Sequence, residues 1–341
     1  MIRPAGPPAT ATHRLCCPAR LWAGALAVLA VLALSTGAAR AQAGPAEPAG
    51  RPDAGPTLQA AVAAAQDDLA ATWRMAFALA LPQAPALPLD EQERYAALAR
   101  QALAAAQVPL LQRQFLLVID RQPRVQAALL YLADPDPARW QWLGAAPVAT
   151  GRPGSFDHFL TPLGVFLHGP ANPDFRAEGT RNEFGVRGYG LKGLRVFDFG
   201  WTPGERGWGA GGTSPMRLQV HATDPDLLEP RLGERGSKGC VRIPARLNRF
   251  LDLNGLLDAA YDEARARGEH FWVFDGTPLA NPLAGRWMVI VESERVVRPA
   301  WARWPPPARR AGMGEPAGAP AWAATPSLPA AALMAPDRGH C

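Results

Sequence analysis

His221-Ala222-Thr223 leads, through a loop broken by Asp224-Pro225 and Glu229-Pro230, to Ser237-Lys238-Gly239-Cys240-Val241-Arg242. Just before it, Met216, Leu218 and Val220 alternate with Arg217, Gln219 and His221. That period of two predicts a half-buried strand with His221 at the end of its polar face. A thiol becomes a good nucleophile only when ionised, and an unperturbed cysteine has a pKa of about 8.5. His221, delivered from the strand end, is positioned in sequence to accept the proton. Lys238 and Arg242 flank Cys240 and favour the thiolate by charge attraction. Gly239 admits close backbone approach, so amides around Cys240 are candidates for holding a developing oxyanion. Together these parts describe covalent acyl transfer. The order His before Cys is opposite to that of papain-like enzymes.

The surroundings read as strands. Phe115 to Ile119, Val125 to Leu132 and Trp140 to Val148 are apolar runs separated by Pro, Asp and Gly. Turn signals then recur through a glycine-rich region to residue 215. A helix is expected over about 245–253, with Leu247, Phe250 and Leu251 on one side, and last strands over Trp272 to Phe274 and Trp287 to Val291. Upstream, 57–80 and 90–107 are rich in Ala, Leu, Gln and Arg and read as two amphipathic helices, the second opening on Asp90 and Glu91. No internal repeat is found.

The segment around Cys240 resembles the catalytic domain of the L,D-transpeptidases (YkuD-type). Their signature is a His, about fifteen residues, then Ser/Thr-His-Gly-Cys, a hydrophobic residue and Asn or Arg. Here fifteen residues, 222–236, separate His221 from Ser237. Pro147-Val148-Ala149-Thr150-Gly151-Arg152-Pro153-Gly154 and Thr161-Pro162-Leu163-Gly164-Val165-Phe166 are similar to the family's strand-turn motifs. The likeness covers residues 113–292. It implies a mainly β fold: a β-sandwich-like catalytic domain with a few helices and an N-terminal helical appendage. It also implies Cys240 as nucleophile and His221 as base, the latter oriented by the backbone of Ala222. The amides of Lys238, Gly239 and Cys240 would form the oxyanion hole, and Ser237 and Arg242 would bind substrate or brace the loop. The family's second His is Lys238 here, in a chain whose only lysines are Lys192 and Lys238. If that position contributes its backbone N–H, lysine is tolerated; if an imidazole must move a proton there, activity suffers. The first alternative is the expectation.

The ends of the chain set its location. Of 36 prolines, 8 lie in residues 1–56 and 8 in residues 304–341. Arg14 and Arg20 precede an apolar run from Leu21 to Leu34, and Ala39-Arg40-Ala41 fits a cleavage site. Residues 1–41 are therefore expected to be a signal peptide, with an uncleaved membrane anchor as the alternative. Then follow a linker (42–56), a helical segment (57–108), the catalytic domain (109–299) and a Pro/Ala-rich disordered tail (300–341). The expected location is periplasmic or otherwise extracytoplasmic. The net charge of +5 comes largely from Arg3, Arg14, Arg20 and Arg40; without them 31 basic face 30 acidic residues. No basic stripe interleaves with aromatics, so nucleic acid is not an expected partner.

Export leaves Cys240 and Cys341 as the mature cysteines, and an oxidising compartment favours their pairing. Against that pairing, Cys341 ends a tail with no evident fold, and the neighbours of Cys240 favour a working thiol. Gly233-Glu234-Arg235-Gly236-Ser237-Lys238 lacks the spacing and final Ser/Thr of a phosphate loop. His158, His168 and His270 are lone histidines with structural roles expected, and Trp201 and Trp208 are expected to pack in core or loops. No zinc ligand spacing occurs, and no cofactor is expected. The expected activity is peptidoglycan acyl transfer. Cys240 would attack the L-centre carbonyl of meso-diaminopimelate in a tetrapeptide stem and expel D-alanine. An amine on a second stem then gives a 3→3 cross-link, while water (an L,D-carboxypeptidase) or a protein amine are alternative acceptors. A catalytically silent wall-binding scaffold is the competing class.

Overall fold

Alternation in Phe115-Leu116-Leu117-Val118-Ile119 sends side chains to both faces of a strand, and here both faces are dry. In the computed structural model, which describes residues 58–274 and 280–304 (backbone only for 58–68), β1 (Gln114–Asp120) and β2 (Ala127–Ala133) are buried at every position. Phe115, Leu117 and Ile119 enter one hydrophobic core; Leu116 and Val118 enter another. β1 pairs antiparallel with β2, which pairs antiparallel with β3 (Gln141–Pro147). On its other side β1 runs parallel to β10 (Trp287–Val291), whose outer neighbour is β5 (Gly164–Leu167).

A second sheet has the order β4 (Phe159–Leu160), β7 (Arg195–Arg206), β8 (Thr213–Ala222), β9 (Val241–Ile243), with β6 (Phe175–Arg176) also paired to β7. Its apolar face, including Phe197, Leu218, Val220 and Val241, shares a core with Phe115, Leu117 and Ile119 of the first sheet. Four helices, α1 (Leu58–Ala80), α2 (Leu89–Ala105), α3 (Ala245–Leu253) and α4 (Ala259–Ala266), complete the described residues. The architecture is therefore mixed α/β with two open sheets, helix and strand in near-equal shares; the expected helices are present, and counted with α4 they make the mainly β description too narrow.

The helical segment 57–108 is built into the cores. Phe77 of α1 packs edge-on to Phe250 of α3, with centroids 5.4 Å apart. Tyr95 of α2 is fully buried and donates its hydroxyl to Asp120 Oδ2 at 2.7 Å. Gly144 in β3 lies directly against Phe77: a Cβ there would sit 2.1 Å from Phe77 Cδ1. Gly144→Ala is expected to destabilise the protein by about 1–3 kcal/mol through overpacking. Adding Phe77→Leu should recover part of that loss, read as urea midpoints. Equal midpoints for wild type and Gly144→Ala would mean that α1 is not seated on β3.

Five expectations change. Trp272 to Phe274 form a 3-10 turn, because the Val273 carbonyl accepts from the Arg176 guanidinium instead of a neighbouring strand. β7 was hidden among turn signals: Gly200 sits at φ +81° beside a register shift between Asp198 and Trp201. Trp201 is exposed, whereas Trp208 packs on Phe159 as expected. α4 had no expected counterpart. The signal and linker assignments, 1–41 and 42–56, lie outside the described residues, as does 305–341 of the tail assigned to 300–341. The start of that tail is not disordered: Ala300–Ala302 form a 3-10 turn, and Trp301 is buried edge-on to Tyr95 because its indole completes the core under α2. No described helix is long and apolar enough to cross a membrane.

Candidate active site

The parallel pairing of β8 with β9 matches Val220 to Val241 and His221 to Arg242. Val220 and Val241 point into the shared core, so His221 and Arg242 occupy the opposite face. Extending the register back one residue sets Cys240 beside Gln219, on the same face as His221. Strand pairing thus puts the two groups on one face of the sheet, on neighbouring strands. Both are fully buried, so the polar face of the strand expected to be half-buried is covered at His221.

The His221 ring is fixed by its neighbour. Its Nδ1 lies 2.6 Å from the Ala222 carbonyl oxygen. A carbonyl can only accept, so Nδ1 carries the proton and Nε2 is the basic nitrogen. Tyr189 packs edge-on to the ring at 4.7 Å, and its hydroxyl donates to Gln219 Oε1 at 2.8 Å. Gln219 Nε2 in turn donates to Asp198 Oδ2 at 2.7 Å, an oxygen that also receives Arg217 Nε at 2.7 Å.

Cys240 is disulfide-bonded in this structure, which departs from the working thiol favoured by the sequence. Cys16, Cys17 and Cys341 are the other cysteines, and all lie outside the described residues. A thiolate-favouring environment also speeds disulfide exchange, so the features that make a nucleophile make a bond-former too. Sγ lies 3.5 Å from the Arg217 carbonyl oxygen, a contact that becomes a hydrogen bond only when the sulfur carries a proton.

The loop that carries Cys240 is held at several points. Ser237 Oγ donates to the Cys240 carbonyl at 2.6 Å and accepts from Gly239 N at 3.1 Å. The Gly239 amide, expected in the oxyanion hole, is therefore committed to Ser237. Gly239 has φ +143°, a conformation open to glycine, and a Cβ there would come within 2.8 Å of Met216 Cε. Thr161 Oγ1 donates to the Gly239 carbonyl at 2.7 Å and accepts from Gly151 N at 2.8 Å. The Thr150 carbonyl receives the amides of Gly236 and Ser237, and Gln126 holds Thr150 in place. Arg242 donates to the Gly236 carbonyl at 2.8 Å, the loop-bracing alternative.

Lys238 turns its side chain to Asp157, with Nζ 3.2 Å from Oδ2. Its backbone carbonyl accepts from Phe159 N at 2.8 Å. His158 beside it directs Nδ1 to the Arg152 carbonyl at 3.0 Å. Burial pushes the His158 pKa down, helped by the charges of Lys238 and Arg242, against the raising effect of that backbone bond. His168 is fully buried between the Leu257 carbonyl and Asp174 and serves the core.

Thr161, Gln126, Tyr189 and Asp198 were not singled out from sequence. Thr161 opens a motif already quoted, so its position was legible though its role was not; Tyr189 carried no local signal. Among the described residues no group of His, Cys, Asp and Glu is arranged to hold a metal ion. No family model and no curated protein matches this chain.

Proposed function

We propose that the reduced protein is an extracytoplasmic cysteine acyltransferase of the L,D-transpeptidase kind, acting on peptidoglycan stem peptides. The observation that carries this is the His221 tautomer: a proton held on Nδ1 by the Ala222 carbonyl keeps Nε2 basic, on the face the register gives to Cys240. His221 Nε2 takes the Cys240 proton, and the thiolate attacks the L-centre carbonyl of meso-diaminopimelate. The tetrahedral oxyanion is held by the amides of Lys238 and Cys240, since Gly239 N–H is used by Ser237. Collapse breaks the bond to D-alanine, whose amine leaves with the proton from His221. An amine from a second stem attacks the thioester, His221 takes up its proton, and sulfur departs to regenerate the enzyme. Two open sheets sharing one core support the finer reading of a β-sandwich-like domain. Lys238 is assigned a backbone role because its ammonium is engaged by Asp157.

The test incubates reduced protein with purified tetrapeptide muropeptides and follows the products by mass spectrometry. Loss of D-alanine together with dimers supports cross-linking, and loss without dimers reassigns the enzyme as a carboxypeptidase. Lys238→Ala, carried alongside, should keep at least about a third of the rate, well short of the hundredfold or more lost with a general acid–base group. Unchanged tetrapeptide with reduced, folded protein overturns the proposal. The disulfide at Cys240 favours a second reading, a wall-binding scaffold with a structural cystine, and that outcome would select it.

A further inference from the structure

We propose that a second cleft, separate from the Cys240 site, binds a carboxylate-bearing peptide. The cleft has a volume of about 800 Å³ and opens between the α1–α2 turn, the end of β3, the 229–234 loop and residues 298–304; neither His221 nor Cys240 lines it. Four arginines do: Arg231, Arg246, Arg298 and Arg303. Some partly buried arginines elsewhere meet acids, as Arg121 meets Glu292 at 2.8 Å and Arg217 meets Asp198 at 2.7 Å. In the cleft none of the four has a carboxylate within ion-pair distance among the described residues. Arg298 spends its guanidinium on the carbonyls of Ala302, Pro123 and Gly233, and Arg246 reaches the Ala80 carbonyl at 3.3 Å. Two acids also line the cleft, and Glu229 feels the charge of Arg246, so four arginines against two carboxylates leave the lining net basic. Glu229 accepts from Ala245 N at 3.1 Å, and Glu234 is exposed.

A second observation comes from Trp304, which also lines the cleft. Its indole N–H is buried and has no hydrogen-bond partner among the described residues. Buried donors left unpaired are costly, so an acceptor at this position is a stabilising addition. Guanidinium forks match carboxylates in shape as well as charge, and the wall of Leu81, Pro244 and Trp304 accommodates apolar side chains of a peptide. The cleft also adjoins the catalytic loop. Gly233 N donates to Val148 and Gly236 N to Thr150, so the 229–234 wall continues directly into the segment that carries Ser237 and Cys240. The anionic class of ligand follows from the cleft alone; the choice of a stem peptide as occupant rests on the acyl-transfer reading.

The experiment follows the Trp304 indole N–H resonance in the full chain, assigned with Trp304→Phe. The probes are a synthetic tetrapeptide stem, the same peptide with its carboxylates amidated, and inorganic phosphate. The acidic stem should shift the resonance saturably, and Arg231→Ala/Arg303→Ala should weaken that binding at least tenfold. No shift, an equal response to the amidated peptide, unchanged affinity in the double variant, or phosphate binding as tightly as the stem would each overturn the proposal. Carbapenem labelling of reduced Cys240 in the double variant separates the two readings. Labelling with unchanged stem affinity sinks the cleft alone, whereas a saturable shift without labelling sinks acyl transfer alone.

Discussion

Carbapenem is expected to acylate the wild-type chain only after the Cys240 disulfide is reduced, and never to acylate Cys240→Ala. A sulfur in a disulfide has no proton to give and no free thiolate to attack with, so the oxidised protein should behave as the alanine variant does. On tetrapeptide substrate the loss of the nucleophile should cost about 10⁴–10⁶ in rate, the range seen when a covalent catalyst loses its attacking atom. His221→Gln should label about 10²–10⁴ times more slowly, because the amide cannot take the thiol proton. Intact-mass spectrometry with and without a phosphine reductant reads both. Adduct on Cys240→Ala, or no adduct on reduced and folded wild type, would remove the sulfur from the mechanism.

The parts of this site legible in the sequence were those encoded locally. The alternation of Met216, Leu218 and Val220 with Arg217, Gln219 and His221 gave β8, and the apolar positions Leu247, Phe250 and Leu251 gave α3 at its observed bounds. Strand β7 stayed hidden because Gly200, Pro203 and Gly204 interrupt the pattern that its pairing with β8 restores through a bulge. The supports of the site were hidden for a related reason. Thr161 lies 78 residues from Gly239, and Tyr189 lies 30 from Gln219. No periodicity marks a hydroxyl that finds its acceptor across such a distance. The disulfide shows the limit from the other side: composition offered both a cystine and a thiol, and local charges around Cys240 favoured the state the structure does not contain.

The largest stability effect should come from a residue that sequence passed over. Arg195, at the start of β7, is fully buried. Its Nε meets Asp174 at 2.6 Å, its two terminal nitrogens meet Asp258 at 2.9 and 2.7 Å, and Asp252 lies at 3.4 Å. Phe197 and Phe274 cover the guanidinium, at 4.8 and 4.6 Å from their ring centroids. Arg195→Met leaves buried carboxylates without their cation and should cost about 3–5 kcal/mol. Arg195→Lys keeps the charge but not the fork and should fall between. Urea midpoints read this, with exposed Arg249→Ala as the neutral control. The pH dependence gives a second readout. Burial alone would lower the His168 pKa, but the charge and hydrogen bond of Asp174 outweigh it and raise it. That stabilisation is full below about 6.5, the unfolded histidine value, and fades as pH rises through the raised one. Burial alone would raise the Asp174 pKa, but His168 and Arg195 hold it down, so its contribution is lost as pH falls. In Arg195→Met the stranded carboxylates can instead take up protons, so the gap to wild type should narrow from pH 7.5 toward pH 5. A gap that stayed constant would mean that Arg195 acts by packing alone. The effect should reach the site as well. Asp174 Oδ1 accepts the Asp198 amide at 2.9 Å, and Asp198 anchors the Gln219–Tyr189 pair that packs on the His221 ring. Arg195→Lys, folded but misaligned, should therefore slow Cys240 acylation more than its lost stability alone explains.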